Sequence, residues 1–198
     1  MSTSSAFFKT ASQLNSTQPL SRISPICTIN PSEHIELRNP VSNAVVSLAI
    51  ETAAAGYGAL VFCGGRQGCQ SMAALISEAM PCDLDVDEGM LDKRKDVIGE
   101  LRSLPVGIDE TLAKTIIRGV AFHRLLPITQ WEYHKRLTFS DAGLTIEERD
   151  IVAEAYDKGV IKVIVATCSL AAGINLPARR VILQGARMGR ELIGPAML

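Results

Sequence analysis

The chain has 198 residues, with 20 Lys and Arg against 21 Asp and Glu, 47% hydrophobic residues and 5% aromatic residues. This length fits one domain with a tail, and the apolar fraction is sufficient for a packed core, which excludes wholesale disorder. The net charge of −1 excludes a uniformly basic nucleic-acid coat but leaves room for a local basic groove. No apolar run is long enough for a transmembrane helix and no secretory signal is recognisable, so no membrane partner is predicted.

The cysteines indicate a reducing compartment. The chain has 5 cysteines, an odd number, and they are irregularly spaced. Cys63 and Cys69 have no second pair and no nearby histidine, so their spacing is not that of a zinc site, and no metal site is predicted. The pattern favours reduced, buried thiols in a cytosolic or nuclear protein.

The N-terminal part is predicted to be a poorly ordered lead-in over residues 1–39, because it is rich in Ser, Thr, Asn and Pro and has no sustained period. One short strand is predicted there, at residues 26–29. The globular part, residues 40–198, begins with a helix that Asn39 caps and Pro40 starts. This helix is expected to end at Gly56. Its buried face is expected to contain Val45, Leu48, Ala49 and Thr52.

Strands and helices alternate along the rest of the chain. Strands are predicted at residues 59–63, 116–122, 160–166 and 180–183. Helices are predicted at residues 67–80, at 92–103 and after the capping box of residues 145–148, with a short helical turn at 169–174. Residues 82–92 are predicted to be an exposed acidic loop. This order predicts an α/β fold, a mostly parallel sheet with helices on both faces.

The first candidate site lies just after the strand at residues 59–63. In an open parallel sheet, ligands bind beyond the carboxyl ends of the strands. Here Gly64, Gly65 and Gly68 let the backbone approach a ligand closely, the next helix presents free N–H groups, and Arg66 adds positive charge. The alternative is a glycine turn with a solvated Arg66. The loop is not a Walker A motif, because the GxxxxGK[ST] pattern is absent.

The second candidate site follows the strand at residues 160–166. Thr167 and Ser169 lie just past this strand, where hydroxyls and free N–H groups suit one phosphate. Gly173 and a following proline bracket a turn that would hold Asn175 in place. The alternative is a capped helix followed by a polar turn.

The remaining polar residues favour a polyanion ligand over hydrolytic chemistry. From Gly173 to the C-terminus there are four arginines and one acid, Glu191. Arginine pairs well with phosphate, although a solvated basic face is the alternative for each of them. No HExxH motif is present. The three histidines, which are far apart in sequence, are His34, His123 and His134.

These segments together resemble the second RecA-like lobe of superfamily 2 DNA repair helicases, the family that contains the helicase half of DNA polymerase theta and its archaeal-type relatives. Residues 59–73 resemble motif IV, and residues 163–182 resemble motif V almost position for position. Residues 120–123, continued by 142–150, resemble the family's FHHAGLT–EERD segment. The resemblance implies an incomplete RecA-like lobe of the P-loop NTPase type, over roughly residues 40–198.

The resemblance also implies roles for named residues. It implies that four side chains contact the backbone of single-stranded DNA: Arg66, Gln67, Thr167 and Ser169. Gly173 and Asn175 would face the ATP cleft between the lobes. The implied function is that of an ATP-dependent 3′-to-5′ helicase in nuclear DNA repair, with ATP and Mg²⁺ as cofactors. Its implied partners are single-stranded DNA and a first RecA-like lobe.

Several motifs of the family are not in this sequence. Motif I with its phosphate-binding Lys, motif II with its Mg²⁺-binding acids, and the arginine-rich motif VI are all missing. We therefore expect the chain to contain no catalytic residue and not to hydrolyse ATP alone. Two other classes stay open: a stand-alone module that binds nucleic acid or a partner, and an unrelated α/β enzyme with a phosphate site between Gly64 and Gly68.

Residues 124–141 interrupt the resemblance where the family has a second histidine. A surface insertion is one explanation, since loop entropy tolerates it. We predict instead that the segment is a translated intron. The codons of Arg124 and Asp141 can contain the GT and AG splice signals, and joining their remaining nucleotides restores a histidine before Ala142. Genomic DNA that lacks GT and AG at these codons would refute this interpretation.

Overall fold

The computed structural model of the chain describes residues 5–6, 27–81, 88–105, 107–123, 146–167, 176–185, 187–188 and 191–192. The strands within these residues are β1 (Ser5–Ala6), β2 (Cys27–Thr28), β3 (Ala59–Cys63), β4 (Val120–His123), β5 (Val163–Thr167), β6 (Arg180–Leu183), β7 (Arg187–Met188) and β8 (Glu191–Leu192). The α-helices are α1 (Pro40–Ala54), α2 (Arg66–Ala79), α3 (Glu88–Ser103), α4 (Glu110–Ile117) and α5 (Ile146–Asp157).

A four-stranded, all-parallel sheet forms the centre of the fold, in the order β4-β5-β3-β6. The residues of β5 from Val163 to Ala166 are all buried. Because successive residues of a strand point to opposite faces, both faces of the sheet are covered at its centre. The predicted α/β class and the parallel sheet are therefore confirmed. Two short antiparallel pairs, β1 with β2 and β7 with β8, accompany the sheet.

Helix α1 begins where the sequence predicts. The Oδ1 atom of Asn39 accepts hydrogen bonds from the N–H groups of Val41, at 2.9 Å, and Ser42, at 3.3 Å, which caps the helix. Residues ahead of α1 also pack: Leu37 belongs to the hydrophobic core, and the Asn43 side chain donates to the Asn30 carbonyl at 2.7 Å. Contacts thus extend across the predicted boundary between residues 39 and 40.

The acidic loop predicted at residues 82–92 is wrong in its second half. Helix α3 begins at Glu88, whereas the sequence predicted its start at Asp92. An acidic residue in the first turn interacts favourably with the helix dipole, so the acids that suggested a loop are compatible with a helix start. Residues 82–87 lie outside the described residues.

The strand predicted at residues 116–122 is also partly wrong. Ile116 and Ile117 form the last turn of α4, and β4 begins at Val120. Asp109 caps α4 by accepting from the N–H groups of Thr111, at 2.8 Å, and Leu112, at 3.0 Å. The β-branched isoleucines favoured a strand, but this N-cap and the left-handed Gly119, with φ +74°, delimit a helix.

The remaining boundaries differ from the predictions by three residues at most. The strand predicted at residues 160–166 begins at Val163, because the N–H groups of Val160 and Ile161 both donate to the Ala155 carbonyl in the turn that ends α5. Helix α2 begins and ends one residue earlier than predicted. The short turn predicted at residues 169–174 and the segment at 124–141 lie outside the described residues.

None of the helices in the described parts of the chain is long and apolar enough to cross a membrane.

Tyr156 makes the fold sensitive to alkaline pH. Its side chain is buried, and its hydroxyl has no hydrogen-bond partner among the described residues. Burial disfavours the phenolate and raises the pKa of Tyr156 to about 12. The unfolded chain loses this proton near pH 10, whereas the folded chain keeps it to about pH 12. The contribution of Tyr156 to the free energy of unfolding is therefore fully present below pH 10 and is lost as the pH rises from about 10 to 12.

We therefore expect the free energy of unfolding to fall by about 2 kcal/mol between pH 10 and pH 12 through this residue. Tyr156→Phe removes the titrating group and should flatten the decline, whereas Tyr57→Phe, at an exposed position, should not. Urea unfolding of the three proteins at pH 8, 10 and 11.5 measures the difference. Parallel curves for the parent chain and Tyr156→Phe would refute the assignment.

Candidate nucleic-acid interface

The sheet register brings the two candidate sites to one edge of the sheet, the edge formed by the carboxyl ends of the strands. Cys63, the last residue of β3, is the register partner of Thr167, the last residue of β5. Neighbouring strands of a sheet lie about 4.8 Å apart, so the loops that leave these strands start side by side. The third strand of this edge is β4, in which His123 is paired with Ala166 of β5. The carboxyl ends of three parallel strands therefore meet here.

Helix α2 presents its N-terminus at this edge. Gly65, its N-cap, has extended backbone angles, φ −167° and ψ 165°, and as a glycine has no side chain that could cap the helix. The first helical bond runs from the Cys69 N–H to the Gly65 carbonyl at 3.1 Å. By helix geometry, the N–H groups of the three residues between them have no partner within the helix, and such groups bind anions well.

The space around this N-terminus is open. A Cβ atom built at Gly65 would meet no atom within 4 Å. Gln67, in the first turn of α2, is exposed, and Thr167 is half-buried. A negatively charged ligand could therefore reach both the helix N-terminus and the end of β5.

Packing holds the start of α2 in place. A Cβ atom at Gly68 would lie 3.8 Å from the Cys63 Cβ atom, which places the first turn close to the end of β3. Cys69 is fully buried and Cys63 is 2% exposed, and neither forms a disulfide, in line with the predicted buried, reduced cysteines. On the next turn, the Gln70 Nε2 atom donates to the Thr111 hydroxyl of α4 at 3.1 Å.

Only part of the predicted site falls within the described residues. Gln67 and Thr167 lie at the same edge, and the backbone of Arg66 forms the first residue of α2. The Arg66 side chain, together with Ser169, Gly173 and Asn175, lies outside the described residues, so their roles stay predictions. Among the described side chains, no group of three or more His, Cys, Asp or Glu could hold a metal ion. The Mg²⁺ that the resemblance implies has no set of ligands there.

Helix α4, which supports the interface through Thr111, was not predicted from the sequence. The signals for it were present: Asp109 is a good N-cap, Leu112 and Ile116 are spaced to share one helical face, and Gly119 follows the end. Leu112 and Ile116 are fully buried.

Comparison with known proteins finds similarity over most of the chain. No family model matches it. Over 174 residues it is 32% identical to DNA polymerase theta of Drosophila melanogaster, covering 78% of this chain and 8% of that protein. It is 34% identical over 145 residues to the ATP-dependent DNA helicase Hel308 of Pyrobaculum calidifontis, covering 73% of this chain and 18% of the relative. It is also 34% identical over 141 residues to the human protein Helicase POLQ-like, covering 69% and 11%.

The parallel α/β lobe and these similarities define a domain of the superfamily 2 DNA repair helicase type. The proteins that it resembles are DNA polymerase theta and the Hel308 helicases, which confirms the resemblance inferred from motifs IV and V. The chain spans less than one fifth of the length of each of these relatives.

Proposed function

We propose that this chain contributes the second RecA-like lobe of an ATP-dependent 3′-to-5′ DNA helicase that acts in nuclear DNA repair. The observation that carries the proposal is the register pair Cys63–Thr167, which sets the segments resembling motifs IV and V side by side. The family resemblance implies that both segments contact the DNA backbone. The similarity to proteins named as ATP-dependent DNA helicases supports this implied role.

In this proposal, the edge binds the phosphates of single-stranded DNA. The N–H groups at the start of α2 that have no partner within the helix donate to one phosphate, and the Gln67 amide and the Thr167 hydroxyl contact the same strand. Arg66 and Ser169 add further contacts to the backbone. Because phosphates are the same at every nucleotide, this binding depends little on sequence and weakens with salt.

ATP hydrolysis would require the first RecA-like lobe in addition to this one. We assign Gly173 and Asn175 to the side of the ATP cleft that this chain supplies. The Lys of a GxxxxGK[ST] loop, which contacts the nucleotide phosphates in P-loop NTPases, is not present in these 198 residues. ATP and Mg²⁺ would therefore be held mainly by a first RecA-like lobe.

The DNA contact is tested by fluorescence anisotropy with a labelled dT oligonucleotide. At physiological salt we expect a dissociation constant of about 10⁻⁴ M or weaker, similar for mixed sequences and strongly weakened at high salt. Gln67→Glu places a negative charge beside the phosphate site and should weaken binding at least threefold. Ser71→Glu adds the same charge one turn further along α2, at another exposed position, and should have a smaller effect. Salt-resistant binding, or equal effects of both variants, would count against the site.

The catalytic expectation is tested by assaying ATP hydrolysis with and without the oligonucleotide. We expect the 198-residue polypeptide to remain at background in both cases. Turnover that survives purification and disappears in Asn175→Ala would contradict the assignment to a second lobe and favour an independent enzyme. Binding of inorganic phosphate without any binding of DNA would favour the phosphate-site alternative between Gly64 and Gly68.

A further inference from the structure

Helix α4 begins at the edge of the sheet that carries the candidate nucleic-acid interface. Only two residues separate the end of α4 from β4, and the helix packs on that strand, so the two elements run in opposite directions. The 8 residues of α4 span about 12 Å and the 4 residues of β4 about 13 Å. Because these lengths are similar, the first turn of α4 lies beside the carboxyl end of β4.

A chain of hydrogen bonds connects this first turn to α2. The Asp109 carboxylate accepts from the Thr111 N–H at 2.8 Å, which fixes the backbone at the start of α4. The Thr111 hydroxyl accepts from the Gln70 side-chain amide at 3.1 Å. Gln70 follows Gln67 by three residues, and residues with this spacing lie on neighbouring turns of one helical face. The chain of bonds therefore ends one turn from the proposed phosphate contact.

Charge makes the start of α4 unsuited to bind a phosphate itself. Asp109 and Glu110 are both exposed acids, and a carboxylate repels a phosphate group. The Asp109 carboxylate also occupies the N–H groups of Thr111 and Leu112, which an anion would otherwise use. The cation of this helix, Lys114, lies one turn further from the edge. Thr111 is thus placed to act on DNA through α2.

We propose that Thr111 is a positioning residue for DNA binding, which holds the first two turns of α2 in the orientation that binds phosphate. The inference rests on the proposed function. A Cβ atom at Gly68 would lie 3.8 Å from the Cys63 Cβ atom, so one side of α2 is fixed against β3. Gln70 points to a different side of the helix, and its bond to Thr111 fixes that side against α4. A helix start held on two sides needs less ordering when the phosphate binds.

The proposal is tested with the complete 198-residue chain and the labelled dT oligonucleotide at low salt, where phosphate contacts are strong. Thr111→Val replaces the hydroxyl with a methyl group, and we expect about threefold weaker binding with an unchanged salt dependence. Gln70→Leu should weaken binding equally, and the double variant no further, because each change removes the same bond. Thr111→Ser keeps the hydroxyl and should bind as the parent chain does.

Thr115→Val is the matched control, because it makes the same substitution in the same helix. The Thr115 hydroxyl is buried and donates to the Leu112 carbonyl at 3.1 Å. Its loss should lower stability but leave DNA affinity unchanged, and circular dichroism before each titration should show that every variant is folded. An equal loss of affinity in Thr115→Val would overturn the positioning role.

Two further outcomes separate this inference from the proposed function. If Gln67→Glu weakens DNA binding while Thr111→Val and Gln70→Leu do not, the positioning role is wrong and the interface remains. If Gln67→Glu has no effect on DNA binding, the interface is wrong and the positioning role falls with it. Additive losses in the double variant would give Thr111 a separate contact with DNA and would also overturn the proposal.

Discussion

Replacing Arg94 with methionine is expected to lower the free energy of unfolding by about 3 kcal/mol. Arg94 lies on α3 and is 4% exposed, an unusual position for an arginine. Its Nε atom donates to the Val160 carbonyl at 3.2 Å, and its Nη1 atom donates to the Ile117 carbonyl at 3.0 Å. One guanidinium thus joins the end of α4 to the segment that leads into β5. Methionine fills similar space but leaves both carbonyls without these donors.

The matched control is Arg102→Met, because Arg102 lies on the same helix at an exposed position. It should change stability by less than about 0.5 kcal/mol. Arg94→Lys keeps the charge but not the planar fork of donors, so it should recover only part of the loss. Urea unfolding at pH 7 measures all three. An Arg94→Met protein as stable as Arg102→Met would show that this guanidinium does not hold the two segments together.

Replacing Gly58 with alanine is expected to destabilise the fold by about 2 kcal/mol. A Cβ atom at Gly58 would lie 2.5 Å from the Tyr156 Oη atom and 2.8 Å from its Cζ atom. The ring is buried, so it has little room to move away. Gly58 therefore allows the start of β3 to pack directly against α5.

The same substitution in α3 should have the opposite sign. A Cβ atom at Gly99 would meet nothing within 4 Å, and alanine is the better helix former, so Gly99→Ala should add about 0.5–1 kcal/mol of stability. Combining Gly58→Ala with Tyr156→Phe removes the nearest atom and should recover part of the loss. Thermal unfolding of the parent chain, the three single variants and the double variant gives the comparison. Additive effects of Gly58→Ala and Tyr156→Phe would contradict the predicted contact.

These stabilising contacts lie at the amino ends of the strands, away from the candidate nucleic-acid interface. Gly58 precedes β3, and the carbonyl that Arg94 binds at Val160 precedes β5. The candidate interface is at the carboxyl ends of the same strands. We therefore expect variants at Arg94 and Gly58 to change the folded fraction without changing the DNA affinity of the folded molecules.

Local interactions explain why several elements were predictable from sequence. Asn39 and Pro40 predict the start of α1 because a capping side chain and a fixed φ act within one helical turn. The apolar run of β3 between glycines predicts a buried strand with the observed bounds. The alternation of such segments sufficed for the α/β class, and the residues at the two strand ends carried the resemblance to DNA helicases that the comparisons confirm.

Only the tertiary structure decided how these elements combine. The order β4-β5-β3-β6 makes Cys63 and Thr167 neighbours although about a hundred residues separate them, and no local pattern encodes that register. The order also leaves β6 as the outermost described strand of this sheet, so Val181 and Leu183, which belong to an apolar run typical of a buried strand, are 47% and 36% exposed. Arg94 has the sequence context of a solvated helical charge and becomes buried through carbonyls 23 and 66 residues away. Hydrophobic period and capping depend on near neighbours, whereas burial and register depend on which distant segments pack together.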